Sequence, residues 1–193
     1  IKMQFLEIIK NIKEDNNIYI YDEFIKLLCN FTNIVKNYLH NNTIFNKTIK
    51  ISLTSILNNE EHKIDFSSLL AKYCDNFIKK SGKSDIEKIN LKINEIINMF
   101  SYLNDKDYFK FNYIKLLSKR LLKYNSISDI EKMIISKFKL ECGSQYTTKL
   151  EGMCNDLILG KNSYKGIDKE LYNKNNIDCS TTILTLGFWS NFY

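Results

Sequence analysis

The sequence predicts an all-α fold, with the end of a helical repeat followed by a four-helix bundle and one short strand at the C-terminus. Apolar residues recur three or four positions apart along most of the chain, the pattern of amphipathic helices. Proline is absent and only 6 of the 193 residues are glycine, so the residues that usually interrupt helices are scarce. Only the segment after residue 180 is rich in β-branched and aromatic residues, as strands are.

The first group of helices lies within residues 1–82. Four apolar stripes predict four helices that pack as the tail of a helical repeat. The last of them ends near Gly82, a residue type that accepts the left-handed conformation of a helix end. The stripes are Phe5, Ile8, Ile9 and Ile12; Phe24, Leu27, Leu28, Phe31, Ile34, Val35 and Tyr38; Ile49, Leu53, Ile56 and Leu57; and Leu69, Leu70, Tyr73, Cys74, Phe77 and Ile78.

The second group, residues 83–162, contains four more helices with short connections, which favours a four-helix bundle. Ser84 with Glu87, and Ser128 with Glu131, have the spacing of capping boxes. Thr148 with Glu151 is a third candidate, although Tyr146 also fits an earlier start. Asp105 is the expected cap of the helix that runs to about Tyr124, and Gly143 ends the next one. The apolar residues include Ile86, Ile89, Ile93, Ile96, Ile97 and Phe100; Phe109, Tyr113, Leu117, Leu121 and Tyr124; Ile130, Met133, Ile134 and Phe138; and Leu150, Met153, Cys154, Leu157 and Ile158.

The pattern changes in residues 163–193. Residues 163–172 fit a short helix, and residues 181–189 fit a strand. A single strand cannot satisfy its own backbone, so we expect its sheet partners beyond residue 193 or on another protein. The residues assigned to this partner interface are Thr181, Ile183, Leu184, Leu186, Phe188 and Trp189.

One helix carries a candidate basic face. Lys115, Lys119 and Lys123 are four residues apart and therefore share one side of the helix, with Arg120 next to them. Two interpretations stay open: a solvated lysine face, or a surface that attracts an acidic partner.

Other functions find little support. The net charge of +6 suggests nucleic-acid binding, but Arg120 is the only arginine and the aromatic residues lie at core spacing. We therefore expect no nucleic-acid partner. No apolar run approaches the roughly 20 residues of a membrane span, so we expect no membrane partner.

Catalytic and metal-binding patterns are weak as well. Asp105 and Asp107 fit a helix start, and Cys142 precedes the glycine that ends a helix. The two histidines are isolated and the five cysteines form no CxxC pair, so we expect no catalytic residue, cofactor or metal. An odd number of unpaired cysteines favours a reducing compartment, the cytoplasm or the nucleus.

A family resemblance adds to this interpretation. Residues 102–161 resemble the cullins, the elongated scaffolds of multisubunit RING-type ubiquitin ligases. The helix ending at Lys79-Lys80-Ser81 and the pieces Ile183-Leu184-Thr185 and Gly187-Phe188-Trp189 are also similar, although Ser190 stands where the family has proline. The matching positions in the central block include Asp105-Lys106-Asp107, Phe109, Tyr113, Leu117, Lys119-Arg120-Leu121-Leu122, Ser128, Glu131, Ile134-Ile135, Cys142-Gly143, Tyr146-Thr147, Lys149-Leu150-Glu151, Met153 and Asp156.

The resemblance implies a domain organisation and a role. Residues 1–82 would be the end of the N-terminal cullin repeats, 83–162 the four-helix bundle and 163–193 the start of an incomplete α/β domain. The role would be that of a non-catalytic scaffold. Its partners would be a RING-box protein at the α/β region, a ubiquitin-conjugating enzyme recruited indirectly, and a substrate-receptor adaptor on repeats absent from this sequence. The basic face would then attract the acidic tail of the conjugating enzyme. The alternative is a generic helical-repeat interaction module unrelated to ubiquitin.

Overall fold

The computed structural model describes residues 1–10, 18–81, 85–163 and 182–189, and within these residues the protein is helical and contains no strand. The all-α prediction is therefore confirmed. The helices in chain order are α1 (Lys2–Lys10), α2 (Ile20–Tyr38), α3 (Thr43–Leu57), a 3-10 helix (Glu60–His62), α4 (Phe66–Lys80), α5 (Ile86–Ser101), α6 (Lys106–Tyr124), α7 (Asp129–Cys142), α8 (Ser144–Ser163) and α9 (Leu186–Trp189).

Side-chain caps determine where most of these helices begin. The carboxylates of Asp65 and Asp105 accept the amides of Ser68 and Tyr108, at 2.9 and 2.8 Å. These bonds satisfy amides that have no partner within the helix. Asp85, rather than the predicted Ser84, caps α5 by accepting the amide of Glu87. Ser84 and Gly82 lie outside the described residues, as does the predicted helix over residues 163–172 beyond residue 163.

The described chain divides into two compact units, Ile1–Tyr113 and Ile114–Tyr193. The boundary falls within α6. The boundaries of the three segments predicted from the sequence, 1–82, 83–162 and 163–193, stay a prediction.

The first unit has an aromatic core. α1 packs on α2 and α3, and α4 packs on α5. The Phe5 ring contacts the Phe24 ring edge-to-face, with ring centroids 5.4 Å apart. The Phe24 and Phe66 rings are stacked, with their centroids 6.1 Å apart. The Tyr21 hydroxyl donates to the Phe66 carbonyl at 2.7 Å, so this buried polar group is satisfied.

Polar side chains tie the helices of the first unit together. Asp22 of α2 accepts hydrogen bonds from Tyr73 of α4 and from Lys92 of α5, the latter at 2.9 Å. Burial alone would raise the pKa of Asp22, but the hydrogen bonds from Tyr73 and Lys92 and the lysine charge hold it below its ordinary value. Burial would lower the pKa of Lys92, yet its bonds to Tyr73 and Asp22 raise it instead. Asp22 and Lys92 are therefore ionised around neutral pH, whereas the Tyr73 hydroxyl, whose pKa is raised by burial, is neutral and donates a hydrogen bond to Asp22.

The second unit is organised around α8. α7 and α9 both pack on it. Gly143 takes a φ of +85° between α7 and α8, a conformation that disfavours any residue with a side chain. Leu121, Ile134 and Leu150, predicted to be buried, are at most 1% exposed. The prediction of these core residues is therefore confirmed.

Several residues of the apolar stripes are exposed instead of buried: Ile34, Tyr38, Ile86, Tyr124 and Ile158. Cys29 of α2 is exposed as well. Val35, on the same turns of α2 as Ile34 and Tyr38, is buried, so only part of the predicted apolar stripe faces the core there. Thr148 is also not a cap, because α8 begins at Ser144.

Replacing Leu121, Ile134 or Leu150 by Ala lowers the free energy of unfolding by about 2–5 kcal/mol, because each change leaves a cavity in the core. Urea unfolding followed by circular dichroism measures this. The matched control is Leu140→Ala, at a leucine that is 81% exposed, where the effect stays within about 0.5 kcal/mol. Losses under about 1 kcal/mol at all three core positions would show that the helix faces are assigned incorrectly.

Candidate functional site

The predicted basic face lies on the exposed side of α6. Lys115, Lys119 and Lys123 are all exposed, and their four-residue spacing places them on one side of the helix. The Lys123 ammonium lies 5.3 Å from the centre of the Tyr124 ring, a cation–π contact at the end of the helix. The three side chains place positive charge at the protein surface, and their binding role stays a prediction.

Arg120 does not belong to this face. Its side chain is buried, and its guanidinium forms a two-pronged pair with the Glu131 carboxylate of α7. Nε donates to Oε2 and Nη2 donates to Oε1, each at 2.9 Å. A planar guanidinium suits this geometry better than a lysine ammonium. The sequence contained one signal for this buried ion pair: Arg120 is the single arginine of a lysine-rich chain, and it comes one position before the core residue Leu121.

The start of α7 positions Glu131. The Ser128 hydroxyl accepts the Glu131 amide at 3.1 Å, which confirms Ser128 as the helix cap. The second half of the predicted capping box differs, because the Glu131 carboxylate binds Arg120 instead of turning back toward Ser128. The cap of α7 and the ion pair with Arg120 thus depend on two residues of the same helix start, Ser128 and Glu131.

Cys154 of α8 lies within the electrostatic influence of this ion pair. Burial, and then the negative charge of Glu131, raise the pKa of the Cys154 thiol to about 12. The thiol is therefore protonated at neutral pH and unsuited to nucleophilic attack.

The predicted partner segment lies against α8. Ile183 and Leu186 are exposed, Leu184 and Phe188 are half-buried, and Trp189 is only 2% exposed. Thr181 lies outside the described residues. Residues 182–185 form no regular element, and Leu186–Trp189 is a helical turn. None of the described residues 182–189 is in a strand, and the predicted strand, whose sheet partners were expected outside this sequence, stays a prediction.

Asp156 holds this turn in place. Its Oδ2 accepts the Thr185 amide and the Trp189 indole N–H, both at 2.8 Å. Its Oδ1 accepts the Thr185 hydroxyl at 2.9 Å. The Thr185 carbonyl accepts the amides of Phe188 and Trp189, which closes the turn. Asp156, which is 29 residues away in the sequence, binds the amide of the residue that precedes this turn, and strand propensity cannot reveal such a contact.

Asp105 and Asp107, which the sequence analysis considered for catalysis, make structural contacts. Asp105 caps α6, and the Asp107 carboxylate pairs with Lys110 at 3.2 Å. In the part of the chain that the structure describes, no three His, Cys, Asp or Glu side chains are placed to hold a metal ion. No helix among the described residues is both long and apolar enough to cross a membrane.

Comparison with known proteins identifies the relatives of this chain. Residues 1–163 match the family model of the cullin α-solenoid domain. Cullin-1 of Oryza sativa subsp. japonica is 29% identical over 177 residues, which cover 88% of this chain and 24% of that protein. Cullin-1 of Schizosaccharomyces pombe is 34% identical over 163 residues, covering 81% of this chain and 21% of that protein. Cullin-4A of Homo sapiens is 32% identical over 164 residues, which cover 82% of this chain and 21% of that protein. The chain therefore spans less than a quarter of the length of these relatives.

Replacing Arg120 by Leu destabilises the protein by about 3–5 kcal/mol, because Glu131 is left charged and buried without its partner. Changing both residues to Leu costs less than the sum of the two single changes, since no charge then stays buried. Equilibrium unfolding of the two single variants and the double variant measures this coupling. Additive losses would show that the pair contributes no interaction energy.

Proposed function

The chain belongs to the cullin family, and we propose that it is a non-catalytic segment of the rigid scaffold of a RING-type ubiquitin ligase. The observation that carries this proposal is the match of residues 1–163 to the cullin α-solenoid domain. The helical packing of each unit supports it. Since the chain spans less than a quarter of its relatives, the activity and the partners of the whole protein belong to the proposal.

The proposed mechanism is geometric. Ubiquitin transfer requires that a substrate lysine reach the thioester carried by the conjugating enzyme, and holding the two reactants in place supplies much of the rate. A scaffold that bends loses this advantage. Capped helices, a buried Arg120–Glu131 pair and the absence of proline suit a segment that resists bending. The residues of the chain then act by position and touch no reacting atom.

The proposed partners follow from the family. A RING-box protein binds the α/β region, mostly beyond this sequence, and recruits the conjugating enzyme. A substrate-receptor adaptor binds repeats that precede this sequence. We place the complex in the cytoplasm, the nucleus or both. The generic helical-repeat module unrelated to ubiquitin is the second candidate, and the similarity to several cullins over more than four-fifths of the chain disfavours it.

Reversing the charge of Lys115, Lys119 and Lys123 to Glu in the full-length protein slows ubiquitin-chain synthesis. The lysine face attracts the acidic tail of the conjugating enzyme, and such attraction acts on association rates and weakens with salt. Chain synthesis at low and at high salt measures the effect, which is larger at low salt.

The matched control reverses Lys36, Lys47 and Lys50, three exposed lysines of α2 and α3. It changes the net charge equally and leaves the rate near that of the unmodified protein. Equal rates at low salt for the α6 variant and the unmodified protein would support the solvated-face interpretation.

A chain extended through the whole α/β domain binds the RING-box protein tightly, whereas the 193-residue chain binds it weakly or not at all. The reason is that the partner's strand joins a sheet by β-augmentation, and most of that sheet lies outside this sequence. Pull-down with purified RING-box protein compares the two chains. Equal capture by both would locate the binding site within residues 1–193.

A further inference from the structure

The contact between residues 182–189 and α8 is more specific than the packing of a loose chain end. Gly152, Asp156 and Gly160 are four residues apart and therefore share one side of α8. The segment crosses this side, with Thr182 and Ile183 close to Gly160, Thr185 and Trp189 bound to Asp156, and Phe188 at Gly152.

We propose that this side of α8 is an anchoring site for the turn Thr185–Trp189, and that Asp156 is the positioning residue that holds Thr185 and Trp189 on α8. The site has the features of a built recognition surface: a carboxylate with three directed bonds, a recess for an aromatic ring, and a buried indole.

Gly152 provides the recess. A Cβ atom at this position would lie 2.5 Å from the Phe188 ring, far inside van der Waals contact. A side chain at residue 152 would therefore force the Phe188 ring to shift from its place against α8. Gly152 is buried within the helix, where glycine costs about 1 kcal/mol relative to alanine. The close approach of Phe188 gives a physical reason for glycine at this position.

The bonds to Asp156 exclude a strand over the same residues. The Thr185 amide is bound to Asp156, and the Thr185 carbonyl accepts the amides of Phe188 and Trp189. These backbone groups cannot join a sheet ladder at the same time. Of the residues predicted for the partner interface, Phe188 and Trp189 thus serve the anchor, whereas Ile183 and Leu186 stay exposed. This assignment goes beyond the scaffold role and does not depend on ubiquitin chemistry.

The single tryptophan of the chain reports directly on the anchor, because Trp189 is the only source of indole fluorescence. In the 193-residue chain, Asp156→Ala shifts the Trp189 emission to longer wavelength and raises acrylamide quenching toward that of an exposed indole. The amides of Thr185, Phe188 and Trp189 exchange faster with solvent, while those in the middle of α7 and α8 keep their protection.

The graded variants separate anchoring from general destabilisation. Asp156→Asn keeps the shape and an oxygen acceptor, and gives a smaller change than Asp156→Ala. Thr185→Val removes only the hydroxyl bond, and serves as the test if Asp156→Ala fails to fold. The control Asp129→Ala removes an exposed carboxylate of the same unit and leaves Trp189 protected.

Two results would overturn the proposal. One is an Asp156→Ala protein, or a Thr185→Val protein in its place, whose Trp189 is as protected from quenching as in the unmodified chain. The other is equal exposure of Trp189 in the Asp129→Ala control, which would mean that any lost carboxylate loosens the segment.

Discussion

The buried ion pair between Arg120 and Glu131 is the constraint on which the second unit depends. Removing two charges from water costs several kcal/mol per ion, and only a well-aligned partner offsets that cost. The two 2.9 Å bonds between guanidinium and carboxylate provide this alignment. Any sliding or rotation of α7 relative to the end of α6 would break them. The pair therefore restricts the register of two helices whose apolar contacts alone would tolerate several arrangements.

Polar side chains also hold the starts of helices in place. Ser128 binds the Glu131 amide at the start of α7, immediately beside the residue that carries the ion pair. Asp156 accepts the amide of Thr185, the residue that precedes α9, and the indole N–H of Trp189. At both places polar side chains hold a helix start against a neighbouring helix. A helical protein without proline gains stiffness when its ends are held in this way, and stiffness is what a scaffold of the cullin family would contribute.

Much of the fold could be predicted from the sequence, because amphipathic period and capping residues are local signals. The extent of α6 and α7, the caps Asp105 and Ser128, and the burial of Leu121, Ile134 and Leu150 are examples. What could not be predicted depends on distant residues. The helical period puts Arg120 on the side of Leu117 and Tyr113, but it cannot show that a carboxylate on another helix makes a buried arginine tolerable there. The segment around Thr185 has strand composition, yet Asp156 holds it as a helical turn. Ile34 and Tyr38 follow the apolar period but are exposed.

The central claim, that the scaffold acts through rigidity, is tested most directly with Arg120→Lys in the full-length protein. Lysine keeps the charge opposite Glu131 but cannot form the two-pronged bond, so the helices stay folded and become less firmly held. The measurement is the rate of ubiquitin transfer to a bound substrate, relative to the rate of discharge to free lysine in the same complex. We predict slower transfer to the substrate and unchanged discharge to free lysine. An unchanged rate of transfer to the substrate, in a variant whose free energy of unfolding is measurably lower, would contradict the account.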